Sequence, residues 1–193
     1  MEVKTMSIPK DFPVFLEGER IYLCPVRREH AMQYSIWLND RETSNLLMMH
    51  RVLSLEDENE ILDGIIKSKP EHLVPVGIWL KEPLTFIGGC SLFDIDQRNM
   101  HCFIGIFIGD KDWRGLGYGG EAMRLLIDYA FKTLNMRKVC LNVFSHNPGA
   151  RRCYEKIGFK EIGRYREHRY IDGEWRDDIM MELFRDDFYS TQK

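Results

Sequence analysis

The 193-residue chain reads as a mixed α/β protein of the α+β kind, a single domain on a central mixed sheet of about seven strands in the order β-α-α-β-β-β-α-β-α-β-β. Three observations predict this. Apolar residues switch repeatedly between a spacing of two and a spacing of three to four along the chain. Two polar segments, 94–99 and Asp172-Gly173, have the length and composition of hairpin turns, so the strands flanking each should pair antiparallel. A glycine-rich segment at 109–122 joins an apolar strand to a long amphipathic helix, and another strand follows after a short turn. That succession is a right-handed β-α-β unit.

Each element has a local cause. Residues 1–15 mix charges and prolines and read as an N-terminal extension, 16–185 as the domain and 186–193 as a C-terminal tail. Segment 19–26 alternates like a strand and meets Pro25 near its end. In 28–38 Ala31, Tyr34, Trp37 and Leu38 mark a helical face, and Asn39-Asp40 stops it. Ser54 caps a second helix, with Asp57 three residues on and Leu55, Ile61, Leu62, Ile65 and Ile66 as its apolar stripe; Gly64 should interrupt it, and Pro70 should end the segment beyond that glycine. Three β-type runs come next, at 74–80, 84–93 and 100–109. The helix after the glycines spans 119–134, with Ala122, Leu125, Leu126, Tyr129, Ala130 and Leu134 facing inward and Asn135 suited to a left-handed residue past its end. Strand 138–144 leads to Asn147-Pro148, an N-cap followed by a first-turn proline, and Gly158 closes that helix. Strands 159–170 and 175–184 form the last hairpin.

Composition narrows the partners. The chain is 44% hydrophobic and 12% aromatic, with a formal net charge of −3, and its arginines and lysines are scattered rather than massed. Neither nucleic acid nor a membrane is therefore an expected partner. The mild acidity suits a cationic substrate. The five cysteines, Cys24, Cys90, Cys102, Cys140 and Cys153, form no C-x-x-C pair and read as thiols of a reducing compartment. There is no apolar run of membrane-spanning length and no signal-like start, so a cytoplasmic location is expected. No metal site is expected either.

Gly115, Gly117, Gly119 and Gly120 crowd the start of the 119–134 helix. Glycines there let backbone amides approach a ligand closely, and the orphan N–H groups and positive dipole end of a helix start favour an anion. A pyrophosphate cradle is the functional reading; a strand-to-helix turn that binds nothing is the other. The run also matches G-x-G-x-x-G, but the next strand ends in Ser145-His146-Asn147 with no carboxylate for a ribose, which excludes a dinucleotide fingerprint. A Walker loop fails because no Gly-Lys-Ser/Thr comes after the glycines.

Two motifs carry a wider resemblance. The first is Arg114-Gly115-Leu116-Gly117-Tyr118-Gly119, extended by Gly120-Glu121-Ala122. The second combines Asn147, Ala150, Tyr154, Gly158 and Phe159. With the strand between them and the order of elements, the chain resembles the GCN5-related N-acetyltransferase (GNAT) superfamily over nearly its whole length, in particular the branch holding ribosomal-protein and polyamine acetyltransferases. The resemblance implies acetyl-CoA as co-substrate, bound where the parallel strands at 103–109 and 138–144 splay apart. It implies Phe107, Ile108 and Gly109 along the pantetheine arm, Arg114, Gly115, Leu116, Gly117, Tyr118, Gly119 and Gly120 around the pyrophosphate, and a further contact from Asn147, which is equally well explained as a helix cap. Tyr154 matches the family's tyrosine that protonates the departing thiolate; without the motif it would read as a core tyrosine. A backbone N–H of Phe107 or Ile108 would serve the oxyanion.

The implied reaction moves an acetyl group directly to a primary amine, a protein or peptide N-terminus or a small polyamine-like amine, in a ternary complex. The amine must first be neutral, although an alkylammonium has a pKa of roughly 10. Many relatives carry Ala-Glu at the start of the splayed strand, the glutamate acting as base; here the pair is Cys102-Phe103. His101, Asp94, Asp96 and His146 are alternative bases, or the amine arrives deprotonated and proximity supplies the rate. Phe103 also keeps open a catalytically silent acyl-CoA-binding module. The acceptor should be read by the helices at 28–69 and the hairpin at 164–177, where Arg164, Arg166, Glu167, His168, Asp172, Glu174, Asp177 and Asp178 offer both signs of charge. Relatives of this kind often form homodimers, and the sequence leaves the oligomeric state open.

Overall fold

The computed structural model describes residues 12–47, 51–68 and 70–191. An eight-stranded sheet runs through it: β1 (Leu16–Glu17), β2 (Ile21–Pro25), β3 (Val74–Leu80), β4 (Thr85–Asp96), β5 (His101–Ile108), β6 (Lys138–Phe144), β7 (Lys160–Ile171) and β8 (Glu174–Phe184), in the spatial order β1-β2-β3-β4-β5-β6-β8-β7. Every neighbouring pair is antiparallel except β5 and β6, which run parallel. The helices are α1 (Ala31–Asn39), the short α2 (Arg41–Ser44), α3 (Leu55–Ser68), α4 (Tyr118–Lys132), α5 (Pro148–Ile157) and α6 (Arg185–Ser190). No helix is long and apolar enough to cross a membrane among the described residues.

The β5-α4-β6 unit organises the rest. Ala122, Met123, Leu126, Ile127, Ala130 and Phe131 of α4 are buried against the sheet, where they meet Ile104, Val139 and Leu141 in one core. The expected Ala122, Leu126 and Ala130 are fully buried and are joined by Met123, Ile127 and Phe131, while Leu125, Tyr129 and Leu134 are only partly buried. Tyr129 turns instead toward Phe15, with ring centroids 4.9 Å apart. Asn135 has φ 55° and Gly158 φ 117°, the left-handed terminations the sequence announces. Asp172 and Gly173 are both left-handed (φ 49° and 84°), as a type I′ hairpin requires.

Three boundaries differ from the sequence reading. The 12–15 part of the N-terminal extension is attached: the Phe15 N–H donates to the Leu23 carbonyl at 2.9 Å, Phe12 packs edge-on against Trp79, and β1 adds the eighth strand. Residues 1–11 lie outside the described residues. Gly64 does not interrupt α3, which is continuous to Ser68; the cost of about 1 kcal/mol for a helical glycine is outweighed by the stripe packed beside it. The described part of the segment set apart as a C-terminal tail, 186–191, is also built in; 192–193 lie outside the described residues. Phe188 of α6 is fully buried, and Arg185 donates to the carbonyls of Phe131 (2.8 Å) and Met136 (2.7 Å), closing the end of α4.

Candidate active site

β5 and β6 begin as neighbours and then part. Their ladder has three pairs, His101↔Lys138, Cys102↔Val139 and Phe103↔Cys140, and stops. Beyond it β5 stays paired to β4 as far as Ile108, and β6 to β8 as far as Phe144. The divergence therefore opens a gap inside the sheet, where main-chain groups of 104–108 lose their strand partner on one side. A cavity of about 690 Å³ occupies it, lined by Phe107, Ile108, Arg114, Gly115, Gly117, Tyr118, Gly119, Gly120, Asn147 and Tyr154 among others.

The glycine loop forms the floor. Gly117 is the N-cap of α4 with φ 90° and ψ −6°, and Gly115 has φ 74°. L side chains strain in that region, so glycine is required here by backbone conformation. An added Cβ at Gly115 would meet nothing within 4 Å, and one at Gly119 nothing closer than 3.6 Å. The loop is thus open on its outer side to a group the chain does not supply, and the first-turn amides of α4 favour an anion there. Arg20 holds the loop from behind: its Nε donates to Glu121 at 2.9 Å, its Nη1 to the Leu116 carbonyl at 3.1 Å, and its guanidinium lies 4.5 Å from the centre of the Tyr118 ring.

Three of the expected contact residues are also engaged within the chain. Gly109 is not on the cavity wall; a Cβ there would collide with the Trp37 indole of α1, so its glycine serves helix-to-strand approach. Leu116 is 52% exposed and contributes its carbonyl to Arg20. Arg114 lines the cavity, but its guanidinium is already engaged: Nε donates to the Ile108 carbonyl (2.8 Å), and Nη2 to Thr43 Oγ1 (2.7 Å) and the Gly109 carbonyl (3.1 Å). With Glu42 at 3.3 Å as counter-ion, it ties the end of β5 to α2.

Asn147 lines the cavity and also caps α5, its Oδ1 accepting from the Ala150 N–H at 3.1 Å. Tyr154, two turns further on, faces the same space. Burial, followed by the nearby Cys153 and Cys90, pushes its phenol well above the ordinary value. It therefore stays protonated at neutral pH, as a proton donor must.

Phe103 stands in the wall with its ring stacked 5.8 Å from that of Phe93 and has nothing to accept a proton. Of the alternative bases, Asp94 reaches the cavity. Asp96 is occupied by Asn99, whose N–H and side-chain amide both donate to it. His101 lies where the β5–β6 ladder begins, away from the opened part. His146 is stacked on Phe144 and its Nε2 lies 3.1 Å from the Asn45 carbonyl oxygen.

The two regions expected to read an acceptor meet. Asp172, at the tip of the β7–β8 hairpin, accepts from Arg41 of α2 at 2.6 Å and also pairs with Asn45. Asp178 is buried and lines the cavity, with Arg169 3.4 Å from one of its oxygens. A second cavity of about 430 Å³ lies between α1, α3 and β3–β5, and it shares Leu47, Gly105, Ile106 and Phe107 with the first. Glu58 lines it. Sequence reading passed over Glu58, yet its spacing from Leu55, Leu62 and Ile65 puts it in the apolar stripe of α3, which was the available signal. Among the described residues no group of three His, Cys, Asp or Glu is placed to hold a metal ion.

Comparison with known proteins agrees with this architecture. A profile of the acetyltransferase (GNAT) domain matches residues 20–160. The chain is 36% identical over 112 residues to Probable N-acetyltransferase YjcK of Bacillus subtilis, covering 58% of the chain and 61% of that relative. It is 27% identical over 113 residues to the ribosomal protein uS5-alanine N-acetyltransferase of Escherichia coli, 58% of each. These matches thus span about three-fifths of each relative's length. In structure it resembles spermidine N-acetyltransferase from Vibrio cholerae, solved in complex with CoA and spermine, with a TM-score of 0.81 and 22% identity over 89% of the chain and 99% of that structure. The profile match takes in the glycine loop, the interrupted ladder and the Asn147–Tyr154 helix, and on that ground the chain belongs to the acetyltransferase (GNAT) domain family.

Proposed function

We propose that the chain is an acetyl-CoA-dependent N-acetyltransferase that moves an acetyl group to a primary amine directly, within a ternary complex. The observation that carries this is the β5–β6 ladder stopping after Phe103↔Cys140, with the opened part of β5 and the glycine loop at the start of α4 lining one cavity. An extended pantetheine arm can complete the unpaired edge as an added strand, and the first-turn amides of α4 suit the pyrophosphate.

Acetyl-CoA, when bound, supplies an acetyl group activated as a thioester. The chain's own residues do the rest. Gly115, Gly117, Gly119 and Gly120 offer backbone amides to the phosphates, and Phe107 and Ile108 present main-chain groups along the arm, one N–H of which donates to the oxygen that gains charge as the amine adds to the carbonyl carbon. The new C–N bond forms as the C–S bond breaks, and Tyr154 passes its proton to the departing sulfur. The neutral amine gives up one proton on becoming an amide and keeps the other N–H, and the proton it loses restores the phenol. Arg114 acts by positioning the end of β5. The acceptors favoured are a peptide or protein N-terminus and small polyamine-like amines, since relatives named for both are similar to this chain.

Mixing the protein with acetyl-CoA and a panel of peptide amides, alkylamines and polyamines tests the reading. Thiol release that depends on the amine supports it. Coenzyme A binding by calorimetry with no thiol release from any amine would instead favour a silent acyl-CoA-binding module, the alternative that Phe103 suggests.

A further inference from the structure

Asn142 stands in the middle of β6 and is open where its neighbours along the strand are closed. Val139, Leu141 and Val143 belong to the core beneath α4, so alternation turns Cys140, Asn142 and Phe144 to the other face. Cys140 and Phe144 are buried there. Asn142 between them is exposed, lines the gap cavity, and makes no side-chain hydrogen bond among the described residues. The opening is therefore local, and the divergence of β5 produces it. Carried on by two residues, the register Phe103↔Cys140 would set Gly105 opposite Asn142. Gly105 lines the same cavity and brings no side chain, so β5 leaves the gap unfilled at this level.

Tyr154 reaches the cavity from the other side, packed against the core beneath α4. The phenol and the Asn142 amide thus flank the gap from opposite faces of the sheet. Packing does not call for an amide, since Phe103, Phe107 and Phe144 supply the wall on the Asn142 face and Met180 is its partner on β8. A β-branched residue would suit a strand better.

We propose that Asn142 orients the attacking amine: its Oδ1 accepts one N–H of the neutral amine and leaves the nitrogen lone pair free to meet the thioester carbon. The proposal rests on the transferase reading and adds a catalytic residue to it. A carboxylate beside the nitrogen would favour the ammonium, whose lone pair is taken up by a proton; an amide oxygen accepts without a net charge. The titratable residues of the wall are Asp94, Arg114, Tyr118, Cys153, Tyr154 and Asp178. Arg114 is engaged with β5 and α2, Tyr118 lies against Arg20, Asp178 is faced by Arg169, and Asp94 is exposed. Burial raises the thiols of Cys153 and of Cys140, next to Asn142 on its own face, and the phenol of Tyr154, so all three are uncharged at neutral pH. The ammonium yields its first proton to water, the amine adds to the carbonyl carbon as the C–S bond breaks, and Asn142 neither gains nor loses a proton. How the nitrogen is held then governs the rate.

The test uses the whole chain, acetyl-CoA and three amines, the amide of an alanine tripeptide, butylamine and spermidine, with thiol release followed from about pH 6 to about pH 10. Asn142→Ala should lose about tenfold or more in kcat with the amine that wild type uses best, because the nitrogen is no longer aimed at the carbon. Its coenzyme A affinity should stay within about twofold and its Tm within about 2 °C, since an exposed side chain without a partner contributes little to stability. Asn142→Asp keeps an acceptor of the same shape and adds charge. It should show an unchanged or lower KM for the amine, a lower kcat at neutral pH, and an acidic limb of kcat moved to higher pH, because the carboxylate raises the pKa of the bound ammonium and the neutral form is reached later. Full kcat in Asn142→Ala overturns the proposal, as does a fall in Tm or in coenzyme A affinity that matches the loss of activity. A kcat above wild type in Asn142→Asp overturns it by showing that the position calls for a base, and a loss equal at every pH overturns it by assigning the amide N–H to the oxyanion. All of these leave the transferase reading standing. Absence of thiol release from wild type with every amine overturns that reading, and this proposal with it.

Discussion

Replacing Arg114 with lysine separates two roles that the sequence motif alone does not distinguish. In the folded chain the guanidinium makes three bonds of 3.1 Å or shorter, to the carbonyls of Ile108 and Gly109 and to Thr43 Oγ1. Its side chain is 24% exposed. A lysine ammonium lacks the planar fork that meets all three acceptors together, so at least one bond is lost and a carbonyl at the end of β5 is left without its donor. Charge-assisted bonds are worth about 1.5–3 kcal/mol each, and a partly exposed site recovers some of that from water. The expected loss is therefore about 2–4 kcal/mol, a fall in Tm of roughly 4–16 °C for a chain of this size. Calorimetry with coenzyme A should show a modest loss of affinity, because the floor of the cradle is backbone and keeps its shape once folded. Thermal melting and titration on the same samples decide the matter. A variant with unchanged Tm whose coenzyme A affinity falls tenfold or more would refute the positioning role and return the guanidinium to the phosphates.

Four further outcomes are expected. Tyr154→Phe should keep coenzyme A affinity and lose about a hundredfold or more in kcat at neutral pH, since its donor proton is gone; full kcat would remove Tyr154 from the mechanism. Gly117→Ala carries the strain of a left-handed L residue, about 1–2 kcal/mol, and a Cβ 3.3 Å from Arg20 behind the loop, whereas Gly119→Glu, whose Cβ faces Ile106 and Ile108 of the cavity wall, adds an anion in the cradle and should weaken coenzyme A binding about tenfold or more beyond Gly119→Ala. Phe188→Ala should cost about 3–5 kcal/mol, visible as a large drop in Tm, because the ring is fully buried; a near-neutral effect would mean that α6 is dispensable. Thr43, through its hydroxyl, and then Lys111 hold the Asp40 carboxyl down at about 2. That folded value lies below the unfolded one of about 3.9, so the stabilisation is present above pH ~4 and disappears as the pH falls toward 2. Asp40→Asn should flatten the stability curve in that window, and an unaltered acid limb would show that Asp40 contributes nothing.

Local signals carried much of this protein into view. Turns and caps depend on residues adjacent in the chain, and for that reason Ser54 with Asp57, Asn147 with Ala150, Asp172-Gly173 and the closing Gly158 all stand where their chemistry places them. The glycine loop at the start of α4 and the helix bearing Tyr154 were legible for the same reason, each being a motif of contiguous or helically spaced residues. Side-chain allegiance was less so. Whether a guanidinium at 114 meets a ligand or two carbonyls and Thr43 depends on where α2 comes to rest, far away in sequence. Gly109 is shaped by Trp37 of α1, and the final helix became part of the core when Phe188 found the space under α4.

Glu58 makes the division plainest. In the sequence it is one acid among several at the start of a helix, indistinguishable from Glu56, which faces solvent. Three to four residues per turn decide that Glu58 shares a face with Leu62, but only the packing of α3 over the sheet decides that this face meets a cavity rather than a wall. Periodicity is written along one chain segment; burial arises when distant segments exclude water together, and the chemistry of a carboxylate is set by that burial.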